Sequence, residues 1–256
     1  MKHHYGPQVC IYDKPNLLSV LATLCSPETV QPLINQYVHY LYSQMLAEVL
    51  NNEFTHQIQS IKTRMSKDHP ESLLQTSILD KNQKAVCVNL ARAGTYPSHL
   101  CYEQLHLFLN QENIRQDHIF AARMTNDNYQ VTSTHLDGFK IGGDIDEAIV
   151  MIPDPMGATG TTVISTIEHY KKKVPGKAKK FIAMHLIVTP EYIKKVLQFH
   201  PDIKIYALRV DRGLSPQKVQ DSEPGLYWEQ EKGLNSKDYI VPGAGGFGEI
   251  MNNSFV

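Results

Sequence analysis

The sequence predicts an α/β protein: a parallel sheet flanked by helices. Short apolar, β-branched runs recur at 86–91, 148–152, 181–188 and 203–210, with helical periodicity between them. The runs at 86–91 and 148–152 are nearly continuous rather than alternating, as in strands covered on both faces. The intervening segments reach ten residues or more, long enough for the crossovers that parallel neighbours require.

The chain opens with an N-terminal arm over about 1–50. Thr29 is placed to cap a helix with Pro32 in its first turn, and Leu33, Ile34, Tyr37, Leu41, Met45 and Val49 recur at helical spacing to give it one apolar face. A polar stretch over 51–84 carries no clear element. The strand at 86–91 runs into a turn ending at Gly94, and a helix is expected over 99–109 and a strand over 118–122. Residues 125–146, polar and glycine-containing, break the rhythm and read as a hairpin or flap. After the strand at 148–152, Val163, Ile167 and Tyr170 give helical spacing over 160–173. Thr189, Pro190 and Glu191 supply cap, first-turn proline and first-turn acid for a further helix, with Ile193, Val196 and Leu197 on its apolar face.

The length of 256 residues suits one large domain or two small ones, and 25 basic against 26 acidic side chains leave a net charge of −1, so nucleic acid is not an expected partner. Four cysteines, Cys10, Cys25, Cys87 and Cys101, stand far apart without a C-x-x-C pair, which points to a reducing cytoplasm. No membrane association is expected. Asp13 and Pro15 precede the apolar residues 17–24, and Gln31, Asn35, Gln36, His39, Ser43 and Gln44 interrupt the uncharged stretch 29–47.

The chemistry concentrates at 149–162, where a hydrophobic strand ends in Asp154 and turns through Pro155, Met156, Gly157, Ala158, Thr159 and Gly160 into a helix beginning with Thr161 and Thr162. Ligands of open α/β sheets bind at the carboxyl ends of the strands. A glycine-bearing turn at a helix start presents N–H groups, and the threonines add hydroxyls around a phosphate-sized hollow. Asp154 is placed either to accept hydrogen bonds from a sugar diol or to help hold a hydrated magnesium.

This segment resembles the ribose-phosphate signature of the phosphoribosyltransferases, in the D-P-M-x-A-T-G-x-S/T form of the uracil phosphoribosyltransferase family. Three further matches follow in the family's order. Residues 89–94 (N-L-A-R-A-G) resemble its L-R-A-G turn, Arg123 follows a strand as its second arginine does, and 239–248 (Y-I-V-P-G-A-G-G-F-G) resembles its base-binding loop. The resemblance implies a single phosphoribosyltransferase-like domain over 1–256 with a helical arm at about 1–50. It also implies transfer of phosphoribosyl from phosphoribosyl diphosphate (PRPP) to uracil, giving uridine monophosphate (UMP) and pyrophosphate in pyrimidine salvage.

In that reading Arg92 and Arg123 hold PRPP, Asp154 to Thr162 hold its ribose and 5′-phosphate, and Ile240, Gly245, Gly246 and Phe247 meet the base. Asp154 and Arg92 carry the catalytic roles, magnesium accompanies PRPP, and the assembly is a homo-oligomer, dimer or tetramer. The planar forks of two arginines suit a pyrophosphate leaving group. The rival readings are a non-catalytic PRPP- or nucleotide-binding regulator of the same fold, and a phosphoribosyltransferase for another base.

The chain departs from the family pattern at four points. Gly246 stands where the last loop has an aspartate, with Glu249 as its candidate substitute, and Ile250 stands where that loop has an arginine. Cys25 replaces an arginine of the arm, and about twenty extra residues over 212–232, including Trp228, are expected as a surface excursion beside the base loop. Elsewhere, His99, Glu103 and His106 read as a solvated helix face rather than metal ligands, and Met151 and Met156 read as packing. The lysines at 171–173, 177, 179 and 180 read as a hydrated cluster at a helix end.

Overall fold

The computed structural model describes the backbone of residues 1–125 and 131–254, and the side chains of 1–120 and 138–254. In chain order the elements are β1 (Val9–Ile11), α1 (Pro15–Leu24), α2 (Leu33–Glu53), β2 (His56–Ile61), β3 (Leu74–Leu79), β4 (Lys84–Ala91), α3 (Thr95–Leu105) and β5 (Ile114–Thr125). They continue with β6 (Val131–Lys140), β7 (Ala148–Pro153), β8 (Met156–Gly157), α4 (Thr161–Lys173), β9 (Lys180–Val188), α5 (Pro190–Phe199), β10 (Lys204–Val210), α6 (Gln217–Gln220) and α7 (Phe247–Asn252).

The main sheet runs β1-β10-β9-β7-β4-β5-β6, with β8 against β9, and every pairing is parallel except that of β5 with β6. Side chains of a strand alternate between faces, and here both faces are covered. Along β4, Ala85 and Cys87 join a core built with α1, α2 and α3, whereas Val86, Val88 and Leu90 join one built with α4 and α5. Continuous apolar sequence in β4, β7 and β9 follows from burial on both sides.

The 125–146 segment contains the antiparallel strand β6, so the expected hairpin is present, while residues 126–130 lie outside the described residues. Three expectations about the helices and the arm need correction. Thr29 does not cap α2: its hydroxyl donates to the Thr23 carbonyl (2.6 Å) and so closes the end of α1, while α2 starts from the turn at Val30 with Pro32 at its cap position. The arm is not wholly helical, because β1 forms one edge of the sheet. Helix α3 begins directly after Gly94, with Pro97 in its first turn, and ends at Leu105. The 51–84 stretch holds a separate two-stranded hairpin, β2 with β3. Its strands are largely solvent-exposed, Ile58 at 79 %, so no apolar alternation marks them in the sequence.

The lysine cluster is largely exposed, as expected, with three of its six members ion-paired among the described residues. Lys171 meets Asp202 (3.3 Å), Lys172 meets Glu168 (2.9 Å) and Lys180 meets Glu53. Residues 212–232 do adjoin the base loop, through Gly213 N–H to the Val241 carbonyl (3.0 Å). They are also fastened to the chain's first residues. Buried Glu231 accepts from Tyr5 Oη (2.6 Å), Arg212 Nη1 (2.8 Å) and Gly225 N–H (2.8 Å), and Trp228 packs edge-on to Tyr5 while donating to the Pro190 carbonyl (3.2 Å).

Candidate active site

Helix α3, which follows β4, packs on one face of the sheet, and α4, which follows β7, packs on the other. Where neighbouring strands send their chains to opposite faces, a crevice opens beyond their carboxyl ends. A cavity of about 530 Å³ lies here, walled by the turn after β4, the loop after β7 and the segment leading into α7.

The cavity brings together Arg92, Asp154, Met156, Ala158, Thr162, Ile240, Gly245, Gly246 and Phe247 of the residues singled out from sequence. Pro155, Gly157, Thr159, Gly160 and Thr161 belong to the same loop without lining the cavity, and the side chain of Arg123 lies outside the described residues. Phe120, Asp238, Tyr239 and Glu249 also line the cavity. Tyr239 lies within the 239–248 stretch recognised from sequence and Glu249, just beyond it, is the candidate substitute acid, but Asp238 and Phe120 have no sequence signal: Phe120 is a strand residue left 54 % exposed.

The loop after β7 is held from below by its own backbone and by α5. The Pro155 carbonyl accepts from Leu186 and Ile187 N–H (2.9 and 3.1 Å), that of Gly157 accepts from Thr189 N–H (3.1 Å), and that of Ala158 from the Thr189 hydroxyl (2.7 Å). A Cβ at Gly160 would meet Val196 at 2.8 Å, and its φ of +81° is one that side-chain-bearing residues avoid. The loop glycine therefore serves packing against α5 as much as ligand approach. Thr159 and Thr161 hydroxyls lie 3.3 Å apart, and Lys195 Nζ donates to Thr161 (2.9 Å), which brings a cation to this loop.

Beneath Asp154 sits a buried imidazole. His185 Nδ1–H donates to the Asp154 carbonyl (2.5 Å), and its Nε2 accepts from Tyr192 Oη (2.6 Å). Burial lowers the His185 pKa to about 4, although its bond to the Asp154 backbone opposes that shift. The unfolded chain takes up this proton near pH 6.5 and the folded chain only near 4, so stability is lost as pH falls through that window. We expect about 3 kcal/mol from this residue. Urea unfolding at pH 7 and pH 4.5 should show a smaller acid loss for His185→Gln than for the unaltered chain; equal losses would refute this assignment. His3, His169 and His200 are shifted in the same direction and are common to both proteins.

On the base side, Gly243 N–H donates to Asp211 Oδ2 (2.7 Å), and Asp211 pairs bidentately with Arg209 (2.5 and 2.9 Å). Arg209 also donates to the Gly243 carbonyl (3.3 Å) and approaches Cys25 Sγ (3.8 Å), so a cation does stand beside the arm cysteine, delivered by β10. Arg92 Nη1 donates to the Ser254 carbonyl (2.9 Å) and hydroxyl (3.1 Å). His99 contacts Gln116, and His106 contacts the Tyr102 carbonyl; among the described residues no cluster of three metal-ligating side chains occurs. Among them, too, no helix is long and apolar enough to cross a membrane.

A family model described as uracil phosphoribosyltransferase matches residues 11–226, ending before the 239–248 loop. The chain is 25 % identical over 237 residues to a uracil phosphoribosyltransferase of Thermococcus sibiricus, covering 93 % of this chain and 86 % of that protein. It is 29 % identical over 184 residues to one of Agrobacterium fabrum, covering 72 % of each. Among solved structures it resembles the AQ2163 protein of Aquifex aeolicus with a TM-score of 0.69 at 19 % identity, over 95 % of this chain and 97 % of the other, a likeness of fold.

Proposed function

The chain belongs to the uracil phosphoribosyltransferase family of enzymes, and from that premise we propose that it converts PRPP and uracil to UMP and pyrophosphate, a pyrimidine-salvage reaction. The observation that carries this reading is the single cavity in which Arg92, Asp154, Thr162 and the 240–247 loop converge. In the reaction the ribose C1–oxygen bond breaks, and pyrophosphate departs with the electron pair. Uracil N1 bonds to C1, and the N1 proton passes to solvent.

Positive charge gathers on the ribose as that bond lengthens, so holding the reactants in line and stabilising the leaving group supply most of the catalysis. Arg92 is the cation for the pyrophosphate, and the incoming ligand competes with its two contacts to Ser254. The loop from Asp154 to Thr162, with Lys195 behind it, takes the ribose 5-phosphate end. Magnesium fits the hard oxygen donors of this cavity, Asp154 foremost, since this ion binds through one or two carboxylates and substrate phosphates. When bound, it neutralises charge on the diphosphate.

Ile240, Ala244, Gly245, Gly246 and Phe247 carry no polar side-chain atoms, so the base is read through main-chain groups. A main-chain N–H facing O4 and a carbonyl facing N3–H accept uracil and leave two buried groups unpaired with cytosine, at about 1–3 kcal/mol each. With magnesium and PRPP, uracil should yield UMP and pyrophosphate at a rate roughly a hundredfold or more above that of cytosine product. Comparable rates would refute main-chain readout, and PRPP binding without product from any base would favour a regulatory protein.

A further inference from the structure

Gly246 has an unstrained backbone, with φ at −73°, so chain geometry does not demand glycine there. Space does. A Cβ built on Gly246 would fall within the Glu249 carboxylate and 3.0 Å from its Cδ. The overlap follows from helix geometry: Glu249 is the third residue of α7, and helical side chains lean back over the preceding turn. The carboxylate thus lies over the α-carbon of the base loop and lines the cavity shared with Arg92 and Asp154. Among the described residues it has neither a hydrogen-bond donor nor a cation as partner, and Gly246, at the cap position, has no side chain with which to complete a capping box.

We propose that Glu249 supplies the carboxylate that faces the ribose of the phosphoribosyl donor, from the space a side chain at position 246 would otherwise fill. The inference rests on the phosphoribosyl-transfer reading. A fixed negative charge beside the ribose is favourable because the ring becomes cationic as pyrophosphate leaves, and the charge is in position beforehand. Glycine at 246 is then a requirement of the site: any larger residue pushes this carboxylate aside.

The test is kinetic, on the full chain, with variants at both positions. Glu249→Gln keeps the shape and any capping capacity but removes the charge. It should lower kcat by about a hundredfold, leaving the thermal midpoint unchanged and the KM for uracil within about threefold. Gly246→Ala should give a similar loss by displacing Glu249, and the double variant should lose little more than either alone. Glu249→Ala should regain at least about tenfold in kcat when combined with Gly246→Asp, which returns a carboxylate to the same space. Glu249→Gln within twofold of the unaltered rate, or full additivity of the two single changes, overturns the proposal. If the unaltered chain forms no nucleotide with any base, the transfer reading fails. Titration with magnesium and PRPP then decides for Glu249: at least fivefold weaker binding by Glu249→Gln supports its place at the ribose, and equal binding refutes it. Absence of PRPP binding by the unaltered chain overturns both.

Discussion

Asp154→Asn is expected to lower turnover by about two to three orders of magnitude while shifting the thermal midpoint by no more than about 2 °C. The asymmetry follows from how the residue is held. Its Oδ1 accepts the Met156 N–H (3.3 Å) and its carbonyl accepts from His185, and asparagine can keep both contacts, since its amide oxygen replaces the carboxylate as acceptor. What it loses is charge at the mouth of β7, where the ribose and the magnesium-bound diphosphate are proposed to sit. Steady-state rates, calorimetric melting and PRPP titration on the same samples check this. A lower midpoint with unaltered PRPP affinity would make Asp154 a structural residue and remove it from the site.

Glu231→Ala should be strongly destabilising, at about 3–5 kcal/mol, which for a chain of this size lowers the melting midpoint by roughly 10 °C. The substitution strands several buried partners at once. Arg212, already donating to the carbonyls of Val219, Gln220 and Ser222, loses its counter-charge, and Tyr5 and Gly225 lose their acceptor. Burial, with Glu231 next in weight, raises the Tyr5 pKa, so this phenol remains a donor over the whole accessible pH range. Urea unfolding measures the loss, and a value below about 1 kcal/mol would show that the excursion relaxes around the gap. With such an anchor, residues 212–232 are tied to Tyr5 and to the start of α5, and any swing over the base loop as a lid would have to break these bonds.

The central strands and the helices α4 and α5 were legible because burial on both sides writes continuous apolar runs, and because Thr189, Pro190 and Glu191 state a helix start in local chemistry alone; Thr189 does accept from the Tyr192 N–H (3.0 Å). The β2–β3 hairpin was illegible for the converse reason: exposed strands have no required pattern. Thr29 misled because a cap-forming hydroxyl serves either of two nearby helix ends, and the end of α1 took it. The walls of the cavity could be read from motif spacing, since the turns after β4 and β7 are local. The supports of those walls could not. His185, Tyr192, Lys195 and Arg209 act across the tertiary structure, and single side chains of ordinary type carry no local mark of such partners, whereas Glu249 could be named because the loop lacks its expected acid at Gly246.

The edge pairing of β1 with β10 has a consequence for how the chain is made. Val9, Cys10 and Ile11 align with Ile205, Tyr206 and Ala207, residues separated by most of the sequence. During synthesis β1 therefore waits unpaired until β10 has been made, and its docking carries one of the largest loop-closure costs in the sheet. The inner strands β4 and β7 face no such delay. Sheet assembly should proceed outward from β4 and β7, and nascent chains halted before residue 204 should remain susceptible to protease in residues 1–13 after the middle of the sheet has become resistant.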